Sequence, residues 1–472
     1  MMKQSRGISP ALIVLLLLLA IAAFILEWIR TPEHPVLAEP PHSTDMAVIG
    51  GTTAALLTAI HGAQAGAQVY LFPQAQELGE DAEFLLSGGL AAPLHPTLQD
   101  LEEPLSQLEI EDFLSAGELE GSFSPMQFKE RLQKNGGNLN DPALLDAFIQ
   151  FSTNLHPMME RIHGTVFDHL PAPNEHPYLH FSSQPINPAS FARQLEIQAL
   201  RAGVIIKNTY VKELIFSPEG HVRGLLLEKS GGESEMLNLR SVVLADGGYS
   251  GDPFSWHPYL PENNMLLLRP GQQGRGLLQA TALGMDVMQA GFYRRRILLY
   301  SPFNETSCLL AEQPYENAYF FNNEGQLLKW SEASNQEIIN FVHMSPLDGV
   351  YLLVRGEDIP EACGHLFRSL ADWESLAQFC GGDLPTFPLP FSPNDIHNVS
   401  PVRVGLDYTL GGLAVTPHGE VKRNGTVVTG LYAAGEICGG LHGEAVLPGM
   451  PLSETLFLSA VAGEAAAHHA WR

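Results

Sequence analysis

The chain has 472 residues, of which 45% are hydrophobic, with 44 glycines and 34 prolines. This composition suits a loop-rich α/β protein better than a helical bundle, and the length allows two or three domains or one large domain with an insertion. The 26 basic and 52 acidic residues give a net charge of −26, which argues against nucleic acid or an anionic membrane surface as a partner of the bulk of the chain. The acidic surface indicates either simple solvation or docking to a basic partner.

An apolar segment lies near the N-terminus. Residues 11–26 are unbroken apolar sequence, and the longer run 8–29 is interrupted at only three positions. At 1.5 Å per residue the longer run spans about 33 Å, enough for a bilayer core. Two basic residues precede it, which predicts a cytoplasmic N-terminus and an extracytoplasmic main domain. The alternative is a signal peptide cleaved after residues 36–38, and in both cases the body is exported.

Residues 1–30 are therefore predicted to be a membrane anchor, and the proline-rich residues 31–44 a linker. The four cysteines form neither a CxxC pair nor a CxxCH motif, so no iron–sulfur, zinc or c-type haem site is predicted. Cys363 and Cys380 can pair in an oxidising compartment, or all four cysteines are buried small hydrophobes.

A βαβ unit follows the linker. The pattern predicts a buried strand at Met46–Ile49, a small-residue helix at Thr53–Ala65 and a second strand at Gln68–Phe72. The intervening turn, GGTTAA at residues 50–55, resembles a dinucleotide fingerprint, in which the pyrophosphate lies at the helix N-terminus and an acid after the second strand binds the ribose. Two positions depart from it: Thr52 replaces the second glycine, and Pro73 stands where the acid is expected.

The remaining elements complete an interrupted α/β domain. Helical spacing is present in 141–164 and 187–200, and residues 240–253 predict a buried strand that ends in a glycine turn. The middle third is irregular, and the βαβ pattern returns only from Gly411. The simplest arrangement is a Rossmann-like dinucleotide-binding domain interrupted by an inserted α+β capping domain, with boundaries at 45–253, 254–394 and 395–472.

Four stretches of the sequence, the first of which contains the GGTTAA turn, carry a family resemblance. VIGGTTAALLTAI, SGGLAAP, VVLADGGYSGDP and the C-terminal YTLGGLAVTPHGEV with GLYAAGEICGGLHG resemble, in order and spacing, the flavoprotein subunits of the fumarate reductase and succinate dehydrogenase family. The resemblance covers residues 45–472. It implies an FAD-binding domain with an inserted cap and an active site between them at the flavin.

The resemblance also implies the cofactor contacts. The implied contacts are with four parts of FAD: the pyrophosphate, the flavin ring, the ribityl or adenosine hydroxyls, and the pyrimidine end of the flavin ring. The predicted contacts are Gly50, Gly51, Thr52, Ala55, Ser87, Gly88, Gly89, Gly247, Gly435, Glu436, Leu452 and Ser453. The alternative for Glu436 is a solvent-exposed acid in a turn. Ala82 occupies the position of a histidine that links FAD covalently in some family members, so noncovalent FAD is predicted.

Four positions that act on substrate in fumarate reductases carry other residues here. Tyr293 and Tyr408 replace histidines, Val446 replaces the substrate arginine, and Asn335 replaces the arginine that delivers a proton. A valine, with Glu444 two residues before it, offers a dicarboxylate no cation and adds a like charge. Fumarate reduction is therefore not expected.

The remaining candidates for catalysis are Tyr293, Tyr408 and Arg294. The tyrosines can donate protons or hydrogen bonds, and the Arg294–Arg296 run either holds an anion or forms a solvated or salt-bridged turn. Three hypotheses follow: an anchored FAD oxidoreductase with another substrate, an FAD-bearing electron-transfer or accessory subunit, and a flavin-free scaffold. Because no haem motif is present, electrons are expected from a redox partner protein or a diffusible donor.

Overall fold

The computed structural model describes residues 44–74, 76–93, 124–164, 177–182, 186–229, 231–252, 255–256, 265–301, 306–310, 318–324, 326–345, 349–355, 361–370, 373–379 and 397–471. The predicted anchor and nearly all of the predicted linker, in residues 1–43, lie outside these ranges. Within them, no helix combines the length and the apolar composition that a bilayer crossing requires.

The helices and strands have the following bounds. The helices are α1 (Thr53–Gln64), α2 (Ala82–Ser87), α3 (Pro125–Asn135), α4 (Pro142–Ser152), α5 (Leu155–His163), α6 (Pro188–Arg201), α7 (Arg275–Ala282), α8 (Asn335–Met344), α9 (Trp373–Phe379) and α10 (Met450–Ala470). The strands are β1 (Met46–Ile49), β2 (Val69–Phe72), β3 (Leu90–Ala91), β4 (Leu179–His180), β5 (Ile205–Ile206), β6 (Tyr210–Phe216), β7 (Val222–Glu228), β8 (Ser234–Asn238), β9 (Ser241–Leu244), β10 (Leu266–Leu267), β11 (Val287–Met288), β12 (Tyr293–Ser301), β13 (Thr306–Leu309), β14 (Ala318–Asn322), β15 (Leu327–Lys329), β16 (Val350–Arg355), β17 (Arg368–Leu370), β18 (His397–Thr409), β19 (Gly412–Ala414), β20 (Glu420–Arg423), β21 (Thr426–Ala433) and β22 (Cys438–Gly439).

A six-stranded sheet in the order β20-β21-β9-β1-β2-β5 forms the dinucleotide-binding half. All pairings except β20–β21 are parallel. Every residue of β1 is buried, as expected for a strand covered on both faces of a parallel sheet. The predicted Rossmann-like βαβ opening is therefore confirmed, with α1 ending at Gln64, one residue before the predicted end.

Small residues bring α1 and the C-terminal helix α10 into close contact. The Ser459 hydroxyl donates to the Ala54 carbonyl at 3.2 Å. A Cβ on Gly463 would lie 2.7 Å from the Thr58 carbonyl oxygen, so only glycine permits this approach. The alanines and glycines of both helices thus allow the two helices to pack closely. This packing positions the first turn of each helix beside the sheet.

A second sheet has eight strands in the order β13-β12-β18-β16-β14-β15, with β10 and β17 also paired to β18. All of its strands except β18 lie within residues 254–394, the predicted cap. Strand β18 runs for 13 residues and delivers its C-terminal residues to the dinucleotide-binding half, where the Thr409 amide bonds to Glu436. Strand β18 follows the predicted domain boundary at residue 394, yet it pairs with strands of the predicted cap.

The cysteines differ from one another. Cys438 is a free thiol and buried, and burial raises its pKa well above the usual range. Cys308 is disulfide-bonded, so the interpretation of all four cysteines as buried small hydrophobes does not hold for it. The predicted pairing of Cys363 with Cys380 involves side chains that lie outside the described residues.

Candidate cofactor and substrate site

The turn between β1 and α1, residues 50–55, has the backbone shape of a dinucleotide motif; we call it the dinucleotide turn. Gly50 adopts φ of +133°, and a Cβ there would lie 2.2 Å from the Ala245 carbonyl oxygen. The Thr52 hydroxyl donates to that same carbonyl at 2.7 Å and accepts from the Ala55 amide at 3.2 Å. Thr52 is therefore the N-cap of α1, and its hydroxyl points back to the neighbouring strand end.

Side chains of the chain itself bind the amides of this turn. The Thr53 amide and hydroxyl each donate to Asp81 Oδ1 at 2.7 Å. The Gly51 amide donates to Gln76 Oε1 at 2.8 Å. Asp81 is 7% exposed, and a carboxylate at a helix N-terminus is stabilised by the helix dipole. The anion-binding end of α1 is thus occupied by a carboxylate from the segment that precedes α2.

The turn after β21 lies against the first turn of α1. A Cβ on Gly435 would lie 2.6 Å from the Ala54 Cβ. Glu436 is buried and forms an ion pair with Arg269. Its Oε1 accepts from the Thr409 amide at 2.9 Å and hydroxyl at 3.0 Å. Burial raises the pKa of Glu436. The alternative interpretation of Glu436 as a solvent-exposed acid is therefore wrong.

The segment that includes Ser87 packs against the start of α10. The Ser453 hydroxyl donates to the Ala91 carbonyl at 2.7 Å and accepts from the Ala91 amide at 3.0 Å. Gly89 has φ of +74°, and a Cβ there would lie 2.9 Å from a carbonyl oxygen of β4. Leu452 is fully buried. Ser87 is thus the last residue of α2 and Gly88 follows it, beside the helix N-terminus that the prediction placed at the flavin.

The remaining predicted glycine contact, Gly247, faces a side chain. It has φ of +87°, and a Cβ there would lie 1.6 Å from Gln272 Oε1. That same oxygen accepts the Gly248 amide at 3.1 Å. Glycine is favoured at position 247 because its φ lies in the left-handed region, and the Gln272 side chain covers the turn.

Tyr408 belongs to a buried network. Its hydroxyl donates to Glu454 Oε2, which also interacts with His442 Nε2 at 2.9 Å. All three side chains are almost fully buried. Burial, followed by the neighbouring Glu454, raises the Tyr408 pKa well above its usual value. The Tyr408 phenol is thus held protonated against a carboxylate, and its ring stacks on Phe84 of α2 at 5.6 Å between centroids and 17° between planes.

A cavity of about 320 Å³ brings together several predicted substrate positions. Its lining consists of Gly291, Phe292, Tyr293, Arg294, Arg295, Gln336, Ile339, Leu410, Glu444, Ala445 and Val446. Two of the predicted substrate positions, Tyr293 and Val446, thus line the same cavity. Gln336, which follows the predicted position Asn335, lines it as well. Tyr408 does not line it.

The arginines of this cavity differ in their bonding. Arg294 forms a bidentate pair with Asp407, at 2.9 Å from both Nε and Nη2. Asp407 is buried, so this pair corresponds to the salt-bridged alternative for the arginine run. Among the described residues, the side chain of Arg295 has no hydrogen-bond or ion-pair partner, although its backbone pairs with β18. Arg295 is therefore the better placed of the two to receive an anionic group.

Sequence reasoning missed Asp81, Gln76, Glu454 and Asp407. Asp81 and Gln76 follow β2 closely, so the search for a polar group after the second strand stopped too early at Pro73. Glu454 directly follows the predicted contact Ser453 and is 1% exposed. An acid in the first turns of a helix whose later residues are mostly apolar was the available signal, since buried carboxylates have partners.

Comparison with known proteins places the chain among flavoproteins. A family model described as an FAD binding domain matches residues 45–452. A fumarate reductase (cytochrome) from Shewanella frigidimarina is 23% identical over 490 residues, covering 93% of this chain and 80% of the relative.

Two solved structures show the same fold. The open conformation of a flavocytochrome c3 fumarate reductase has a TM-score of 0.74 and 20% identity, covering 100% of this chain and 83% of that one. A 3-ketosteroid-Δ4-(5α)-dehydrogenase from Rhodococcus jostii RHA1 has a TM-score of 0.68 and 18% identity, covering 92% of this chain and 98% of that one. Because the family model spans most of its length, the chain belongs to the FAD-binding flavoprotein family that includes the fumarate reductase flavoproteins.

Proposed function

We propose that the protein is an extracytoplasmic FAD-dependent oxidoreductase, anchored through residues 8–29, whose substrate is not fumarate. Family membership implies FAD as the cofactor. The observation that carries the substrate proposal is the cavity at Tyr293. Val446 lies there at the position of the substrate arginine and Glu444 adds a negative charge, so a dicarboxylate lacks the cation that it requires.

The backbone of the dinucleotide turn fits FAD, because Gly50 allows close approach and α1 presents its N-terminus there. The polar groups around the turn, as they are arranged in this structure, do not fit FAD, because other residues of the chain already bind them. The Gly51 and Thr53 amides bind Gln76 and Asp81, and the Glu436 carboxylate is already bound by Arg269 and Thr409. When bound, FAD carries an electron pair between a donor and the substrate.

The residues of the cavity suit a small molecule with at most one anionic group. Arg295 can bind one carboxylate or another anion, whereas Glu444 repels a second. Phe292, Ile339 and Val446 supply apolar surface for the rest of the molecule. We propose Tyr293 as a hydrogen-bond or proton donor in this cavity, and Tyr408 and Arg294 as positioning residues through their buried pairs.

Electrons are proposed to come from a redox partner, since the similar Shewanella protein is a cytochrome-type fumarate reductase. The net charge of −26 favours a basic partner surface. A second candidate function is electron transfer without a small-molecule substrate. The pairing of Arg294 with Asp407 and of Tyr408 with Glu454 favours it, because both predicted anchors are bonded inside the protein.

The test uses full-length protein loaded with FAD and chemically reduced in the absence of oxygen. Flavin absorbance is followed after addition of fumarate or of α,β-unsaturated compounds carrying one carboxylate or none. We expect no reoxidation by fumarate and reoxidation by at least one of the other compounds. Rapid reoxidation of the wild-type protein by fumarate would refute the substrate proposal. Reoxidation by a redox protein alone would support the electron-transfer function.

Membrane attachment has its own test. After expression in a bacterial host, alkaline extraction of membranes should leave the full chain in the pellet. A variant lacking residues 8–29 should appear in the soluble fraction. Release of the full chain by alkaline extraction would exclude the anchor.

A further inference from the structure

The segment from Gln76 to Ser87 lies across the part of the fold that family membership assigns to the cofactor. Its first contact is with the N-terminus of α1, where a dinucleotide places its pyrophosphate. Asp81 Oδ1 accepts both the amide and the hydroxyl of Thr53 at 2.7 Å. A carboxylate oxygen and a phosphate oxygen require the same donors, so both cannot bind there at once.

The second contact is with Gly51, the second residue of the same turn. The Gly51 amide donates to Gln76 Oε1 at 2.8 Å, and its carbonyl accepts the Gly79 amide at 2.6 Å. The Gln76 side chain is held in place by a further bond from its Nε2 to the Asp246 carbonyl at 3.2 Å. The segment therefore binds the turn through the side chains of Gln76 and Asp81 and through the backbone of Gly79.

The third contact lies deeper in the molecule and does not involve α1. Phe84 stacks on Tyr408, and the Arg269 guanidinium lies 4.2 Å from the Phe84 ring centroid. The same Arg269 pairs with Glu436, which was predicted to bind cofactor hydroxyls. Helix α2 thus packs on Tyr408 of β18 and on Arg269, whose partner Glu436 follows β21, near the position where the family resemblance locates the flavin.

We propose that the Gln76–Ser87 segment is an internal occupant of the dinucleotide site, with the Asp81 carboxylate in the place of the pyrophosphate. FAD binding then requires displacement of Asp81 from Thr53 and of Gln76 from Gly51. The apparent affinity for FAD is lowered by the fraction of molecules in which the site is open. This inference rests on FAD being the cofactor and not on the identity of the substrate.

Neutralising Asp81 provides the direct test. In Asp81→Asn an amide oxygen can still accept from Thr53, but the charge-assisted bond and its interaction with the helix dipole are lost. The open form is then more populated, and like-charge repulsion of the incoming pyrophosphate is removed. We expect FAD to bind Asp81→Asn about tenfold more tightly than the wild type, by analogy with the difference between charged and neutral hydrogen bonds.

The measurement is a titration of FAD-free full-length protein with FAD, followed by flavin fluorescence and by isothermal calorimetry. The matched control is Asp286→Asn, because Asp286 also accepts two backbone amides, those of Asn424 and Gly425, at 2.9 and 2.7 Å. The control should bind FAD as the wild type does. Without FAD, Asp81→Asn should also unfold at a lower temperature than the wild type.

A second variant keeps the test decisive if Asp81→Asn does not fold. Gln76→Ala frees the Gly51 amide without changing charge, and it should also tighten FAD binding. Equal or weaker FAD binding by the folded variants, including no binding by any form, would overturn the inference. Tighter binding without turnover on any acceptor would support this inference while refuting the proposed oxidoreductase activity, so the two failures are distinguishable.

Discussion

The buried carboxyl group of Asp246 predicts how the free energy of unfolding depends on pH. Asp246 follows β9, is 6% exposed, and accepts the Gly276 amide at the start of α7 through Oδ2 at 2.6 Å. Its Oδ1 has no hydrogen-bond partner among the described residues. Burial raises the Asp246 pKa from the ordinary value of 3.8 to about 6. The folded protein therefore binds the Asp246 proton more tightly than the unfolded chain does.

The sign of the pH dependence follows from this difference. Between pH 3.8 and about pH 6 the unfolded chain loses the proton while the folded protein keeps it. The free energy of unfolding therefore falls as pH rises through this window and levels off above it. A difference of about two pKa units corresponds to a loss of about 3 kcal/mol, of which about 2 kcal/mol falls between about pH 4.5 and 7.

The assay is urea unfolding of the wild type and of Asp246→Asn, both without added FAD, across this pH range. The asparagine keeps an acceptor for Gly276 and cannot ionise, so its stability should rise relative to wild type by about 2 kcal/mol from about pH 4.5 to 7. Glu213→Gln, a change at an exposed strand position, should follow the wild-type profile. Parallel profiles for Asp246→Asn and the wild type would refute the argument.

Two further predictions concern the buried pairs. Tyr408→Phe removes a donor to the buried Glu454 carboxylate, which should lower the free energy of unfolding by about 1–3 kcal/mol; an unchanged urea midpoint would show that Glu454 finds another donor. Arg294→Met leaves the buried Asp407 without its bidentate partner, with an expected loss of about 3–5 kcal/mol in the same assay. Lys129→Met, which breaks an exposed ion pair, should cost less than about 1 kcal/mol, and an equal loss in both variants would contradict the role of burial.

The local elements of the dinucleotide-binding half follow directly from sequence patterns. The run from Met46 to Ile49 is apolar because a central parallel strand is covered on both faces. The small residues of α1 and α10 predict close helix packing, and Gly463 at the Thr58 carbonyl shows why it is needed. The turn at Gly435 was located from its position after an apolar strand, since parallel sheets bind ligands at that edge.

The sequence by itself thus determined the fold class, the family and the position of the cofactor turn, because periodicity and glycine placement report on the local backbone. Only the tertiary structure decided which groups meet there. Asp81 is 28 residues from Thr53, and Tyr408 is 46 residues from Glu454. No local pattern encodes such pairs, since any carboxylate can accept from a helix N-terminus or a phenol. Which one does so depends on how α2, β18 and α10 pack against one another.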